Sequence, residues 1–85
     1  MKYSILNVGF GNGLMLHRIV SILNPDSSPM KRLKDEAREN GKLIDATFGR
    51  KTRSILITDS DHVVLSALQP ETLFNRLTEG GEYVE

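Results

Sequence analysis

The sequence lacks several features that identify other classes of protein. It has no cysteine among its 85 residues, so neither a disulfide nor a thiolate metal site can reinforce the fold. Its 11 basic and 11 acidic residues cancel, which argues against a basic tail or a uniformly cationic nucleic-acid-binding protein. Any binding site for an anion must therefore be local.

Long hydrophobic runs are also missing. The first eight residues, Met1 to Val8, have neither a cationic start nor an extended apolar stretch. We therefore expect no signal peptide, no transmembrane helix and no membrane partner, and the cytoplasm is the default location. The sequence shows no internal repeat and no low-complexity segment.

The length predicts a single domain over residues 1–85 with a thin core, because a domain of this size buries only roughly 60 to 65% of its unfolded surface. Assembly into a homo-oligomer is the expected source of further burial. Residues 78–85, which include Gly80-Gly81 and acidic side chains, are predicted to be a frayed tail.

The hydrophobic pattern predicts an α+β fold, a small antiparallel sheet of about five strands with one main helix and a short C-terminal helix. The main helix should start near Ser28-Pro29 and end at Asn40, because Gly41 suits a C-terminal cap. The short helix should follow Pro70 and turn Leu73 and Leu77 inward. The stretch from Leu14 to Leu23 is apolar on both alternating faces, which predicts one continuous strand.

Residues 43–70 are the most informative part of the chain, since they read as three strands joined by two tight turns. Ile44, Ala46 and Phe48 alternate with polar residues and are predicted to face the core. A hairpin turn at Gly49-Arg50-Lys51 should then place Gly49 at positive φ. The acidic turn Asp59-Ser60-Asp61 should make a second hairpin. Both faces of these strands are apolar, so one helix would leave surface for a partner subunit.

One set of residues combines position with charge: Arg18, Arg50, Lys51 and Arg53. Cations raised on a rigid hairpin can displace condensed counterions from nucleic acid, which makes the phosphate backbone the leading partner. The alternative is an ordinary exposed hairpin, and spacing alone does not separate the two. A symmetric oligomer would repeat the patch and multiply weak contacts.

Other candidate sites are weaker. The loop from Gly9 to Gly13 lacks the spacing of a nucleotide-binding motif, and Asp59, Asp61 and His62 suit bonds within a turn better than a metal site. His17 and His62 have no nucleophile signature nearby. We therefore expect no catalytic residue, metal, cofactor or small-molecule substrate, and no enzyme activity.

Four motifs resemble the bacterial RemA family of extracellular matrix regulatory proteins over residues 4–77. They are Asn7-Val8-Gly9-Phe10-Gly11-Asn12, Ser28-Pro29-Met30-Lys31-Arg32, Leu43-Ile44-Asp45-Ala46-Thr47-Phe48-Gly49-Arg50, and Asp59-Ser60-Asp61-His62-Val63 through Gln69-Pro70-Glu71-Thr72. The resemblance implies a nucleoid-associated regulator that binds double-stranded DNA, controls biofilm matrix and osmoprotection genes, forms rings, and has a fold similar to LytTR-type DNA-binding domains.

The resemblance also implies which residues contact DNA. Arg18 and Arg50 match the arginines of the family, whereas Lys51 stands where the family commonly has arginine, which keeps the charge but removes the bidentate fork. Arg53 matches the pattern without an implied role. The alternative function is a ring-forming module that binds RNA or protein. Duplex DNA is favoured over single strands because the chain has only five aromatic residues, two of them patterned inward.

Overall fold

The protein folds into two β-sheets and two helices, as seen in a computed structural model that describes residues 3–78 and 82–84, with side chains for 4–78. The α+β class predicted from the sequence is confirmed. The strands within this part of the chain are β1 (Tyr3–Gly9), β2 (Asn12–Met15), β3 (Ile19–Leu23), β4 (Leu43–Asp45), β5 (Ser54–Thr58), β6 (Val63–Ser66) and β7 (Glu82–Val84); the helices are α1 (Ser28–Glu39) and α2 (Pro70–Thr78).

The larger sheet has four strands in the order β3-β5-β6-β4. The predicted hairpin over Asp59-Ser60-Asp61 is confirmed, because β5 and β6 pair antiparallel across it. The predicted hairpin at Gly49 is wrong: β4 pairs parallel to β6, not with β5. The pairing extends to the residue before β4, since the carbonyl of Lys42 accepts from the Val63 amide at 2.8 Å.

The smaller sheet has the order β2-β1-β7. The predicted continuous strand from Leu14 to Leu23 is interrupted by a 3-10 turn at Leu16–Arg18. The chain changes sheets there, so β2 pairs with β1 whereas β3 pairs with β5. Apolar residues on both alternating faces therefore belong to two short strands in two sheets.

The core lies on both sides of the four-stranded sheet. On one side α1 covers a cluster that contains Ile55, Val63 and Leu65. On the other side, Leu56 and Val64 pack with residues of β1 and α2. The expectation that one face of the sheet remains for a partner subunit is wrong, because β1 and α2 cover it within the chain.

The ends of the helices follow their predicted signals closely. Ser27, one residue earlier than expected, caps α1 by accepting from the Met30 amide at 3.4 Å. Gly41 has φ +68, and Lys42 donates to Ala37 at 2.8 Å, which completes a Schellman cap. In α2, Leu73 is fully buried and Leu77 packs against the same cluster, as predicted.

The last residues are described in part. Glu82–Val84 form β7, antiparallel to β1, and Thr78 ends α2, while residues 79–81 and 85 lie outside the described residues. The frayed tail stays a prediction there. Within the described part, no helix is both long enough and apolar enough to span a bilayer.

Candidate nucleic-acid interface

Arg50, Lys51 and Arg53 lie on the loop of residues 46–53, which connects β4 to β5. Both ends of this loop are fixed to β6: the Ala46 amide donates to Leu65 at 2.9 Å, and the Arg53 amide donates to Ser66 at 2.8 Å. The sheet therefore holds the loop at one end of the molecule, which we call the cationic end.

The three cations of this loop are all exposed. They line one open groove of about 430 Å³ together with Phe10, Ala67 and Leu68. Among residues 4–78, no carboxylate forms an ion pair with any of the three. Their charges are available to an anionic partner.

A tight turn from Thr47 to Arg50 shapes the start of the loop. The Arg50 amide donates to Thr47 at 3.0 Å, and both central residues have positive φ, +55 at Phe48 and +79 at Gly49, as in a type I′ turn. The predicted positive φ at Gly49 is confirmed, although the turn does not join two paired strands.

Asp45 holds this turn from the end of β4. Its Oδ1 accepts from the hydroxyl and the amide of Thr47, at 2.6 and 2.9 Å, and Thr47 is 2% exposed. The hydrogen bond from the Thr47 hydroxyl, then that from its amide, hold the pKa of Asp45 below its ordinary value. A charged acceptor thus locks the turn that precedes the cations.

Phe48 points outward, contrary to the prediction that it faces the core. It is 80% exposed, because β4 ends at Asp45 and the strand alternation ends with it. Ile44, also predicted to face inward, is 46% exposed, whereas Ala46 is buried as predicted. The ring of Phe48 stacks on Phe10, with centroids 5.4 Å apart and planes at 19°.

Phe10 reaches this position from the turn between β1 and β2. It has φ +54 and is followed by Gly11 at φ +78, so both turns of the cationic end place a phenylalanine and then a glycine at their positive-φ positions. Phe10 is 49% exposed. We call Phe10 and Phe48 together the phenylalanine pair.

Buried hydroxyls hold the two turns next to each other. The Ser66 hydroxyl donates to the Val8 carbonyl at 2.8 Å, and the Ser54 hydroxyl donates to the Leu68 carbonyl at 2.5 Å; both serines are fully buried. The Asn7 side chain accepts from the Gly9 amide at 2.8 Å. This amide is therefore engaged within the loop that resembled a phosphate cradle.

Arg18 lies at the other end of the four-stranded sheet. Its Nε donates to both carboxylate oxygens of Asp59 at 2.7 and 2.9 Å, and the two side chains are 53% and 47% exposed. Asp59 and Arg53 lie at opposite ends of β5, about 20 Å apart at the usual rise per residue. Arg18, which pairs with Asp59, therefore lies about that far from the cationic end. The structure does not bring the four predicted cations into one patch.

The acidic turn at this second end is bonded both within itself and to Arg18. Asp59 pairs with Arg18, and His62 Nδ1 lies 2.7 Å from the Ser60 hydroxyl. Within the part of the chain with described side chains, no group of three acidic or histidine residues is placed to hold a metal ion.

Comparison with known proteins identifies the family. The model of the RemA-like family, described as "Extracellular matrix regulatory protein A-like", matches residues 5–77. The chain belongs to the RemA-like family. Its resemblance to RemA proteins, inferred above from four motifs, is thereby confirmed.

Individual relatives agree with the family. A protein of Thermodesulfovibrio yellowstonii named "Putative regulatory protein" is 67% identical over 75 residues, 88% of each chain. A protein of Thermotoga neapolitana with the same name is 58% identical over 83 residues, 98% of this chain and 90% of its own length. The family and these names indicate a regulatory role.

Two features of the candidate site were missed from the sequence: the phenylalanine pair and the ion pair of Arg18. The signal for the first was present, since a Phe-Gly dipeptide occurs twice, at 10–11 and 48–49. Tight turns with two positive φ values prefer Asn-Gly or Asp-Gly. Phenylalanine departs from this preference in both turns, and this shared departure was the sequence signal of the phenylalanine pair.

Proposed function

We propose that this RemA-like protein is a transcriptional regulator that binds double-stranded DNA through phosphate contacts from Arg50, Lys51 and Arg53, with Arg18 as a second point of contact. The observation that carries the proposal is the loop of residues 46–53, on which three exposed cations without carboxylate partners among residues 4–78 are anchored to a rigid sheet. Fixed cations of this kind neutralise phosphates and release counterions.

Arg18 has a different part in this proposal. Its exposed pair with Asp59 is worth little in water, so a phosphate can compete with the carboxylate for the guanidinium. The separation of about 20 Å from the cationic end corresponds to about six base pairs at 3.4 Å per step. One subunit would therefore contact two positions along a duplex.

Assembly into a homo-oligomer is part of the proposal, because four cations per chain bind weakly alone. The support is at the edges of the larger sheet. Edge strands β3 and β4 each expose an apolar side chain, Val20 at 65% and Ile44 at 46%. Open edges are natural joining surfaces, and head-to-tail joining of β3 to β4 would close into a ring.

The proposed regulator acts on matrix genes of biofilms, in keeping with the family description, and on osmoprotection genes, as the resemblance to RemA proteins implies. This role places it in the cytoplasm on the nucleoid, without an enzyme activity or a cofactor. Transcript profiling of a strain without the gene tests this part. Unchanged matrix and osmoprotection transcripts would contradict the assignment of target genes.

A salt titration tests the DNA contact. Arg50→Ala should lower duplex affinity and reduce the slope of log K against log salt by about 0.9 for each engaged subunit. Lys51→Arg should change affinity little if Lys51 contacts only phosphate. Glu36→Ala, an exposed change on α1, is the control. Assembled Arg50→Ala and Arg18→Ala proteins with wild-type affinity and slope would contradict the proposal.

The second candidate function is binding of single-stranded RNA. It is favoured by one observation, the exposed phenylalanine pair beside the cations, because aromatic rings next to a charged groove suit unpaired bases. Duplex DNA and single-stranded RNA of equal length, titrated at the same salt concentration, separate the two candidates. Tighter binding of the RNA would favour the second.

A further inference from the structure

We propose that the phenylalanine pair is an apolar wedge that enters a base step of duplex DNA, while the cations beside it hold the flanking phosphates. The inference rests on the proposed function and assigns a second kind of contact to the same site. Phe48, backed by Phe10, is the residue expected to touch the bases.

The backbone gives the first reason. Phe10 and Phe48 both have positive φ, +54 and +55, a region that a bulky side chain rarely occupies. Strained residues of this kind persist where the surroundings enforce them, and they concentrate at functional sites. Here two separate turns carry the same strain, and together they place the two rings in one exposed aromatic stack.

The surroundings give the second reason. Thr47 is 2% exposed and bonded to Asp45, and the Val8 carbonyl before the other turn is held by buried Ser66. The rings are thus presented on fixed backbone, although half of Phe10 and four-fifths of Phe48 face water. Because these two rings are held in place but do not fill the core of the protein, we infer that they bind a partner.

The chemistry of the neighbours identifies that partner. Phe10 lines the same groove as Arg50, Lys51 and Arg53, and such a cationic rim favours a polyanion over an apolar protein surface. Single-strand platforms present separate aromatic faces along a path for successive bases. In this protein the two rings stack on each other at 5.4 Å, which makes one thick wedge of the kind that unstacks a base step and bends the duplex.

The test compares Phe48→Ala with Phe74→Ala in the full chain. Phe74 is also an exposed phenylalanine, 47% accessible, but it lies on α2, so it controls for loss of an aromatic surface. A duplex with 2-aminopurine in place of single adenines reports unstacking, and energy transfer between its labelled ends reports bending. Sedimentation of each variant reports assembly.

We expect wild-type protein and Phe74→Ala to raise 2-aminopurine fluorescence and bring the duplex ends closer. Phe48→Ala should abolish both signals and lower affinity about tenfold, the usual scale of one aromatic–base stack, with the salt slope unchanged. Phe48→Tyr should restore both signals. Salt dependence thus separates the wedge from the phosphate contacts.

Three results for Phe48→Ala would overturn the wedge alone. The first is wild-type affinity with both signals retained. The second is a loss of affinity that occurs only together with a smaller assembly in sedimentation, and the third is a loss of affinity for single-stranded ligands but not for duplex DNA. The second result would mean that the phenylalanine pair contacts another copy of the chain. Failure of wild-type protein to bind any duplex would overturn the proposed function as well.

Discussion

At the scale of single residues, Gly49 carries the clearest constraint. Its φ is +79, and a Cβ placed there would meet no atom within 4 Å, so a substitution is limited by backbone strain and not by space. Gly49→Val should destabilise the fold by about 1–2 kcal/mol, since β-branched side chains are the least suited to this region.

Thermal unfolding measures this cost. A loss of 1 kcal/mol lowers Tm by about 4–8 °C in a domain of this size. Gly49→Asn is the matched control, because asparagine tolerates positive φ and should lose less. Equal Tm values for Gly49→Val and wild type would refute the strain at this turn. Gly49→Val should also weaken duplex binding, because the cations follow directly on the same loop.

Asp45 gives the fold a pH dependence of known sign. Its folded pKa is lowered, mainly by the hydrogen bonds from Thr47, so the folded state holds the charged form more strongly than the unfolded state does. The resulting stability is present at neutral pH and is lost as pH falls through the folded pKa, below about 4.

Asp45→Asn separates the charge from the hydrogen bonds, because an amide oxygen can still accept from Thr47. We expect the unfolding free energy of Asp45→Asn to fall less between pH 5 and pH 3 than that of wild type. Urea unfolding at several pH values measures this difference. Parallel curves for the two proteins would show that Asp45 does not contribute to the acid dependence.

At the scale of elements, the sequence predicted the features that depend on interactions between neighbouring residues. The C-terminal cap of α1, the hairpin at Asp59-Ser60-Asp61 and the inward face of α2 all depend on residues within a few positions of each other and are confirmed, while the N-terminal cap of α1 is Ser27 and not Ser28. The pairing of β4 was predicted wrongly because a tight turn at Gly49 is compatible with a hairpin and also with a crossing loop. Only the distant residues Val63–Leu65 decide between them.

The outward position of Phe48 follows from where β4 ends, whereas Ile44 is exposed within β4, at the edge of the sheet. Alternation along the sequence predicts a buried face only while the strand continues, and β4 ends at Asp45. The break at Leu16–Arg18 could not be predicted from the sequence either. Two short strands from different sheets, read as one, show apolar residues on both faces. For the candidate site, the sequence therefore predicted the cations but not their separation or the phenylalanine pair.

One buried hydrogen bond links β1 to β6 in addition to their apolar packing, and its contribution can be tested. Ser66→Ala leaves the Val8 carbonyl without its hydroxyl donor, and an unsatisfied buried acceptor costs about 1–3 kcal/mol. We expect a matching loss of unfolding free energy in urea. Ser60→Ala, at the exposed turn between β5 and β6, is the comparison, and an equal effect of the two would contradict the importance of burial.

At the scale of the whole molecule, the exposed apolar residues on the edge strands predict assembly. Val20→Lys on β3 and Ile44→Lys on β4 each place a charge on an open edge of the sheet. Both variants should sediment as smaller species than wild type at micromolar concentration and still unfold cooperatively, because neither residue is buried within the chain. A wild-type monomer, or variants with wild-type mass, would contradict joining through these edges.

The bond between Ser66 and Val8 spans 58 positions, and that between Arg76 and the Asn7 carbonyl spans 69. β1 can pair with β2 as soon as both have been made, but its contacts with β6 and α2 form only after those later elements have been synthesised. The β5–β6 hairpin is built from neighbouring residues, so we expect it to form early, and Leu56 and Val64 are exposed until β1 and α2 pack on them. We therefore expect the yield in the cell to depend on chaperone supply, which protects apolar surface until β1 and α2 cover it.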